Sequence, residues 1–276
     1  MTHRGVVLRT ERLTPHMIRV VVGGDGLRDF ATSGLTDHYV KLVFKQPGVA
    51  YPEPFDMAAC REALPREQWP RLRTYTVRAW DPEARELTLD FVYHGDEGLA
   101  GPWAANARPG DEVLMVGPGG AYAPDPAADW HLMAGDESAL PAIAASLEAL
   151  PPGALAHVFL EVSGPEEEQK LETSGEAHVV WLHRGARPYG EALVEAVTGL
   201  AFPPGRVHGF VHGEAGFVKI LRRHLRVERG VPLERLSISG YWRAGVDDEG
   251  WRAVKKDWNR QVEAEEAVAL TGGAGA

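Results

Sequence analysis

The sequence predicts a β-barrel followed by an α/β unit. The first half contains short apolar runs that are rich in β-branched residues and separated by glycine and proline turns, which is typical of an antiparallel barrel. The second half alternates strand-like runs with helical segments, which predicts a parallel sheet. Residues 117–129, between the halves, are rich in glycine and proline. We therefore expect two domains, at residues 1–122 and 123–276.

The elements of the first half follow from its local pattern. Strands are predicted at residues 6–8, 16–22, 38–44, 71–80, 86–94 and 112–116. Turn signals separate them, for example Gln46-Pro47-Gly48. One helical segment, residues 98–107, interrupts the strands.

The elements of the second half alternate in type. Strands are predicted at residues 130–134, 156–162, 177–182 and 207–211, and helices at residues 139–150, 190–197 and 214–229. We also expect a helix near the C-terminus. Residues 135–138 join the first of these strands to its helix, and ligands bind at such junctions in parallel sheets.

The composition of the 276-residue chain excludes several classes of protein. A net charge of −10 argues against general nucleic-acid binding, because phosphate contacts require a basic surface. Cys60 is the single cysteine, which excludes an internal disulfide and any cluster held by several thiols. The sequence has no apolar run of about 18 residues and no signal-peptide core, so we expect a cytoplasmic protein without a membrane span.

A basic face is predicted on the helix at residues 214–229. Its positive side chains flank an apolar stripe that has helical spacing, and they are Lys219, Arg222, Arg223, Arg226 and Arg229. Two interpretations are open. The face is either a solvated surface above the core or a docking surface for an acidic partner such as an electron-donor protein.

The segment RTYTVR at residues 73–78 combines aromatic, hydroxyl and guanidinium groups on one predicted strand. Alternation in a strand places Arg73, Tyr75 and Val77 on one face and Thr74, Thr76 and Arg78 on the other. An aromatic ring can lie against a flat heterocycle, and arginine is suited to a diphosphate because its planar fork donates paired hydrogen bonds. The alternative is an exposed strand at a barrel edge.

Together with DFVYHG at residues 90–95, this segment resembles the FAD-binding signature of siderophore-interacting proteins, a family of ferric-siderophore reductases related to ferredoxin reductases. Similar motifs follow in order at residues 98–104, 109–111, 117–120, 134–141 and 240–245. The resemblance extends from Val6 to about Trp258. It implies a ferredoxin-reductase-like fold, with an FAD-binding barrel and an NAD(P)H-binding parallel-sheet domain.

The resemblance also implies which residues bind the cofactors. They are Arg73, Tyr75, Thr76, Arg78, Asp90, Val92, His94, Gly98, Ala100, Trp103, Asp136, Ser138, Tyr241 and Trp242. The chain departs from the family pattern at Leu99, where we expect proline, and at Ser138, where we expect threonine. His94 is expected beside the flavin, or else it is only a hydrogen-bonded histidine at a strand end.

The implied activity is the transfer of hydride from NADH or NADPH to FAD, followed by reduction of siderophore-bound Fe(III). Two alternatives remain: a flavin-linked reductase with another acceptor, and a flavin-containing siderophore-binding protein with little turnover. No acid–base catalyst is assigned. No metal site is expected, because His208 and His212 have no third ligand at suitable spacing.

Basic residues are candidates for holding an anionic siderophore. Lys41 and Arg243 are the main candidates, with Lys45 and Arg252 as weaker ones. The alternatives are an exposed strand lysine for Lys41 and a cofactor contact for Arg243. For the donor, Glu161 ends a strand where a carboxylate can bind a ribose, which favours NADH, whereas Arg184 follows the next strand and favours NADPH. We expect NADH.

Overall fold

The computed structural model describes residues 1–272, and the end of the predicted second domain, residues 273–276, lies outside the described residues. The chain divides into two compact units, one formed by residues 1–122 and the other beginning at residue 123. Strands of the first unit form a closed barrel, and strands of the second form a five-stranded sheet. The predicted fold class is confirmed.

The barrel consists of six antiparallel strands in the order β1-β2-β5-β4-β3-β6. Their bounds are β1 (Thr2–Thr14), β2 (Met17–Gly23), β3 (Tyr39–Phe44), β4 (Arg71–Asp81), β5 (Glu86–Val92) and β6 (Glu112–Gly119). Strand β1 pairs with β2 and also with β6, which closes the barrel. Alternate side chains of the strands point inward and form one apolar core, which includes Val20, Val40, Leu42, Leu89 and Phe91.

Two short helices belong to the barrel unit, α1 (Met57–Ala63) and α2 (Ala100–Asn106). Helix α2 falls within the predicted helical segment, but α1 was not expected. Helix α1 is capped by the preceding residue, Asp56, whose carboxylate accepts a hydrogen bond from the Ala59 N–H. Cys60 of α1 is buried in a small apolar cluster with Met57 and Phe55. This environment is consistent with a packing role for the thiol.

The second unit is built on a parallel sheet with the strand order β11-β10-β7-β8-β9. Its strands are β7 (Trp130–Asp136), β8 (Leu155–Val162), β9 (Glu176–His183), β10 (Val207–Glu214) and β11 (Leu236–Trp242). Its helices are α3 (Leu140–Glu148), α4 (Glu191–Thr198), α5 (Ala215–Arg223) and α6 (Asp248–Gly272). From β7 the chain proceeds to β8 and β9 on one side, and β10 and β11 then occupy the other side. The topological switch point therefore lies between β7 and β10.

Part of the basic face predicted at residues 214–229 lies against α6; its members belong to α5 and to the helical turn that follows it, His224–Glu228. The Nε atoms of Arg222 and Arg226 lie 2.6 and 2.7 Å from the two carboxylate oxygens of Glu266. Lys219 pairs in the same way with Glu265, at 2.7 Å. Three of the positive charges considered as a docking surface are therefore used to hold the chain's own C-terminal helix.

No helix among residues 1–272 has the length and apolar character required to cross a bilayer.

Candidate functional site

The candidate FAD-binding residues of the barrel lie on β4, at the end of β5 and at the start of α2. On β4, Arg73 is paired with Leu42 and Tyr75 with Val40, and both partners belong to the barrel core. Directly paired residues share a face of a sheet, so Arg73 and Tyr75 share one face, as the alternation predicts. The ring of Tyr75 packs against Phe91 at a centroid distance of 4.2 Å. This contact fixes the ring's position.

Arg78 lies at an irregularity in β4. Val77 is paired with Leu89 and Ala79 with the next residue of β5, Thr88, so Arg78 is the extra residue of a β-bulge. The simple alternation that grouped Arg78 with Thr74 and Thr76 is therefore interrupted after Val77. Bulges redirect side chains near binding sites. Thr76, before the bulge, is half-buried opposite Tyr39.

Asp90 has a different environment from the one expected of a cofactor ligand. It lies opposite Arg19 of the neighbouring strand β2. The Arg19 guanidinium donates to both carboxylate oxygens of Asp90, with Nε–Oδ1 at 2.7 Å and Nη2–Oδ2 at 2.8 Å. The Asp90 side chain is only 3% exposed. We therefore reassign Asp90 from cofactor binding to an ion pair within the barrel wall.

The segment after β5 leads into α2. Val92 is the last residue of β5, and His94 lies two residues further on and is exposed. Gly98 has a φ of +79°, a conformation that favours glycine, and a side chain there would meet nothing within 4 Å. Ala100 is the buried first residue of α2. A Cβ on Gly101 would lie 3.2 Å from the Val92 carbonyl oxygen, so α2 packs closely on the end of β5.

Trp103 of α2 packs toward the barrel. Its ring centroid lies 5.5 Å from that of Phe91 and 6.3 Å from that of Phe44. Trp103 therefore packs against the barrel core together with Ala100 and Ala104 of α2, and its role as a cofactor contact stays a prediction. Its contact with Phe91 connects it indirectly to Tyr75.

The residues of this region fit an FAD diphosphate. The N–H groups of Ala100 and Gly101 lie in the first turn of α2 and have no acceptor within the helix. Such groups bind anions. The open space at Gly98 leaves room beside them, and Arg73 and Arg78 contribute positive charge from β4. These features are suited to a diphosphate with an aromatic ring held nearby.

A second candidate site lies at the carboxyl end of β7, in the other unit. Asp136 is 1% exposed and accepts four hydrogen bonds. Oδ1 accepts from the Ser138 N–H at 2.9 Å and from its hydroxyl at 2.5 Å. Oδ2 accepts from the Glu214 N–H and from the Trp242 indole Nε1, both at 2.8 Å. Burial, and then the neighbouring carboxylate of Glu137, raise the pKa of Asp136 to about 6.

This arrangement brings Asp136, Ser138 and Trp242 together at the switch point between β7 and β10, where open parallel sheets bind ligands. Sequence reasoning missed Glu214, which caps α5 by accepting from the Gly216 N–H at 2.6 Å. Its other oxygen accepts from the Ala244 N–H at 3.3 Å, which positions the segment after β11. The signal for this cap was an acidic residue at the first position of the predicted amphipathic helix, which in the structure begins one residue later.

At the same edge of the sheet, two backbone positions lie so close to neighbouring atoms that only glycine fits. Gly213 has a φ of +138°, and a Cβ there would lie 2.6 Å from Oδ2 of Asp136. A Cβ on Gly135 would lie 2.7 Å from the His212 carbonyl oxygen. Tyr241, also predicted as a cofactor contact, packs its ring 4.7 Å from that of His212. Strands β7 and β10 therefore converge too closely at the switch point for side chains at these glycines.

Glu161 is not where a ribose could reach it. Its side chain is fully buried at 0% exposure. Oε1 accepts from the Gly190 N–H at 2.8 Å and lies 3.4 Å from Nη1 of Arg184. The expectation that Glu161 binds the adenosine ribose is therefore wrong, because none of its side chain is exposed.

Arg184 lies between two carboxylates. Its Nη2 is 2.7 Å from Oε1 of Glu137, which was not among the predicted site residues, and its Nη1 is 3.4 Å from Glu161. The guanidinium carbon lies 4.3 Å from the ring centroid of Tyr189. That ring in turn contacts Trp242 edge-on at 4.9 Å. Glu137, Glu161, Arg184 and Tyr189 are called the Arg184 cluster below. Tyr189 had no signal in the sequence, since it lies in a turn without a motif.

The four basic residues considered for the acceptor differ in their environments. Lys45 pairs with Glu53 at 2.9 Å, and Arg252 pairs with Asp248 one helical turn away at 2.7 Å. Lys41 is half-exposed on β3, with its Nζ 5.8 Å from the Tyr39 ring centroid. Arg243 is exposed directly after β11. Lys41 and Arg243 lie in different units, and their shared role remains a prediction.

The histidines of β10 are involved in local contacts. His212 is buried, with Nε2 2.9 Å from the Ser237 hydroxyl, and burial lowers its pKa to about 3. His208 accepts a hydrogen bond from the Asp125 N–H at 3.1 Å. Within the described part of the chain, no group of three or more His, Cys, Asp or Glu residues is arranged to hold a metal ion.

A closed antiparallel barrel followed by a parallel sheet with a polar switch point defines the ferredoxin-reductase-like class of flavoproteins. Within this class, the profile of the siderophore-interacting FAD-binding domain matches residues 6–122, and that of the siderophore-interacting protein matches residues 128–245. The chain therefore belongs to the siderophore-interacting protein family, and its cofactor is FAD.

Several relatives are similar over most of their length. Ferric vibriobactin reductase ViuB of Vibrio cholerae is 32% identical over 88% of this chain and 90% of its own. The NADPH-dependent ferric-chelate reductase of Escherichia coli is 30% identical, covering 86% and 91% of the two chains. The crystal structure of the siderophore-interacting protein SipS from Aeromonas hydrophila is 32% identical, with a TM-score of 0.80 over 94% of this chain and 98% of its own.

Proposed function

We propose that this protein is an FAD-dependent ferric-siderophore reductase that takes its electrons from NADH or NADPH. The observation that carries the proposal is the consecutive match of a siderophore-interacting FAD-binding domain and a siderophore-interacting protein domain to one chain. The printed names of two relatives, a ferric vibriobactin reductase and an NADPH-dependent ferric-chelate reductase, support the same reaction. The barrel and the parallel sheet then serve as the FAD-binding and NAD(P)H-binding domains.

Residues of the barrel hold and orient the cofactor in this proposal. Arg73 and Arg78 supply positive charge for the diphosphate, and the first-turn N–H groups of α2 supply hydrogen-bond donors. Tyr75, fixed by Phe91, provides an aromatic surface for the ring system. Bound FAD supplies the conversion between a two-electron hydride donor and one-electron reduction of the acceptor.

Residues at the carboxyl end of β7 position the nicotinamide nucleotide. Asp136 holds the Ser138 hydroxyl and the Trp242 indole in fixed orientations at the switch point. Close backbone packing at Gly135 and Gly213 keeps this edge rigid. A rigid edge lowers the entropic cost of bringing the donor to its reactive position.

The acceptor is an Fe(III) complex, and the iron is substrate. Lys41 and Arg243 supply positive charge for an anionic siderophore on a chain whose net charge is −10. Release of iron follows from the weaker hold of siderophore ligands on Fe(II). Neither step requires a proton donor from the protein.

Anaerobic half-reactions test the proposal. The purified holoprotein is mixed with NADH or NADPH, and bleaching of the flavin absorbance is followed. A ferric siderophore is then added with a chromogenic Fe(II) chelator. We expect reoxidation of the flavin together with formation of the Fe(II) complex.

Each negative result has its own meaning. Reoxidation by other acceptors but not by any ferric siderophore would identify a reductase with a different substrate. Siderophore binding without reoxidation would identify a binding protein with little turnover. Either result would overturn the proposed activity.

A further inference from the structure

Arg184 lies at a position where folds of this kind distinguish NADH from NADPH by contacts to the adenosine ribose. In doubly wound sheets an acidic residue at the end of the second strand binds the ribose of NADH, and a nearby arginine accommodates the 2′-phosphate of NADPH. Glu161 is the penultimate residue of β8, the second strand, but its side chain is fully buried, whereas Arg184 follows β9 directly and is slightly exposed. Both residue types are present, so their contacts decide which donor the site favours.

The contacts show that the charge of Arg184 is already compensated. Its guanidinium is bound by Glu137 through Nη2 at 2.7 Å and through Nη1 at 3.3 Å, and it also lies against Glu161. The side chains of Arg184 and Glu137 are only 11% and 12% exposed. A phosphate approaching Arg184 therefore meets a guanidinium whose two Nη groups already have carboxylate partners.

The cluster as a whole is negative. Two carboxylates, those of Glu137 and Glu161, share the one positive charge of Arg184. The second oxygen of Glu161, Oε2, is buried and has no hydrogen-bond partner within the described residues. Asp136 adds a further carboxylate next to Glu137 in the sequence. A 2′-phosphate carries close to two negative charges at neutral pH, so it would be repelled here.

We propose that Glu137 is a specificity-determining residue, which neutralises Arg184 and so makes the site favour NADH over NADPH. This inference rests on the proposed function, because it concerns the donor of that reaction. Glu137 repels the 2′-phosphate by its negative charge. It also accepts the hydrogen bonds that the Arg184 guanidinium would otherwise donate to the phosphate. It does not take part in hydride transfer.

The first test is binding of adenine nucleotides, which needs no turnover. Affinities of the holoprotein for 5′-AMP and adenosine 2′,5′-bisphosphate are measured by calorimetry for the wild type and for Glu137→Gln. Loss of one negative charge near a phosphate should tighten binding of the bisphosphate by about ten-fold relative to 5′-AMP. An unchanged ratio of the two affinities would overturn the inference.

Two variants separate charge from other effects. Glu137→Asp retains the negative charge and should retain the preference of the wild type. Glu265→Gln removes the same charge from an exposed ion pair on α6 and should leave the ratio unchanged. A ten-fold gain in Glu265→Gln as well would mean that net charge, and not the Arg184 cluster, controls the ratio, and the inference would fail.

The wild type alone provides a further test that does not depend on the folding of a variant. Salt screens repulsion between the cluster and the 2′-phosphate. The affinity for the bisphosphate relative to 5′-AMP should therefore rise as the ionic strength is raised from about 0.01 M to about 0.15 M. A fall in this ratio would mean that Arg184 attracts the phosphate, which contradicts the inference.

Turnover then distinguishes this inference from the proposed function. The ratio of kcat/KM for NADPH to that for NADH should rise about ten-fold in Glu137→Gln. Failure of both nucleotides to reduce the flavin in the wild type would contradict the proposed function. A wild type that reduces the flavin and prefers NADPH would contradict only the role of Glu137.

Discussion

The indole Nε1 of Trp242 donates a hydrogen bond of 2.8 Å to Oδ2 of Asp136, a residue 106 positions earlier in the chain. Trp242 ends β11 and Asp136 ends β7, and these strands lie on opposite sides of β10 in the sheet. The same oxygen accepts from the Glu214 N–H at the end of β10. One buried carboxylate therefore joins the carboxyl ends of three strands.

Asp136→Asn should destabilise the protein. The amide group can accept through one oxygen only, so donors that now face the second oxygen lose their partner in a buried site. We expect the free energy of unfolding to fall by about 2–4 kcal/mol, as for loss of hydrogen bonds to a buried charged group. Urea unfolding followed by tryptophan fluorescence measures this change. Ser138→Ala removes a single donor and should cost about 1 kcal/mol; an equal loss in both variants would contradict this view of Asp136.

Stability should depend on pH through His131. This histidine of β7 is 1% exposed, and burial, followed by the charge of His208, lowers its pKa to about 4. In the unfolded chain its pKa is about 6.5. Between these values only the unfolded chain binds the proton. Acidification through this window should therefore lower the free energy of unfolding, by about 3 kcal/mol in total from this group.

Asp136 has the opposite effect on the free energy of unfolding between about pH 4 and pH 6. Its raised pKa means that the folded state takes up the proton first, which stabilises the fold as the pH falls. The contribution of His131 must therefore be measured by comparing a variant with the wild type. His131→Leu should remove the share of the acid destabilisation that comes from His131. Identical pH profiles for His131→Leu and the wild type would refute the assignment.

Arg78→Ala should weaken FAD binding. Loss of one charge-assisted contact to the diphosphate is worth about 1.5–3 kcal/mol, which is about a ten- to hundred-fold loss of affinity. Fluorescence titration of the apoprotein with FAD measures it. Arg85→Ala is the matched control, because Arg85 is an exposed arginine of the same unit that pairs with Asp25. FAD affinity at the wild-type level in Arg78→Ala would exclude the diphosphate role.

Lys41→Ala and Arg243→Ala should each raise the KM for an anionic ferric siderophore. The increase should be larger at low ionic strength, where charges are screened less. Reduction of the flavin by the nicotinamide donor should change little, and Lys170→Ala, at an exposed lysine, should alter neither half-reaction. Slower hydride transfer in Arg243→Ala with unchanged siderophore kinetics would instead place Arg243 at the donor site.

Glu266→Gln should loosen the packing of α6 on α5. The Glu266 carboxylate is 9% exposed and bridges Arg222 and Arg226. Removing one partner of a buried ion pair typically costs about 3–5 kcal/mol. Hydrogen exchange of the α6 amides, together with urea unfolding, measures the loss. The exposed pair of Lys219 and Glu265 provides a comparison, since Glu265→Gln should change the exchange of α6 very little.

Most strands could be predicted because the pattern of apolar residues in each strand follows the burial of its side chains in the sheet. The strand β7 is buried throughout, and its mainly apolar residues Trp130 to Ala134 are typical of the centre of a parallel sheet. Helix α1 and strand β11 could not be predicted in this way. Helix α1 buries only Met57 and Cys60, and β11 is half-buried along most of its length, so neither has a strong period.

The sequence indicated on which elements the candidate residues lie, but not which residues they contact. The motif at residues 73–78 identified the correct strand, but the bulge at Arg78 depends on its pairing with β5. Asp90 pairs with a residue 71 positions away, and Glu161 with one 23 positions away. Such partners are determined by strand register and loop geometry, which local patterns do not contain.

The closure of the barrel has a consequence for synthesis on the ribosome. Residues Thr2 to Val6 of β1 pair with Val116 to Glu112 of β6, so the first strand of the barrel can pair fully only after its last strand has been synthesised. At about 5–20 residues per second, this delay is on the order of 5–20 s. During that time the β1–β2 hairpin presents unpaired backbone groups to other nascent chains. Slow translation before Glu112 would therefore prolong the period in which the unpaired edge of β1 can pair with another chain.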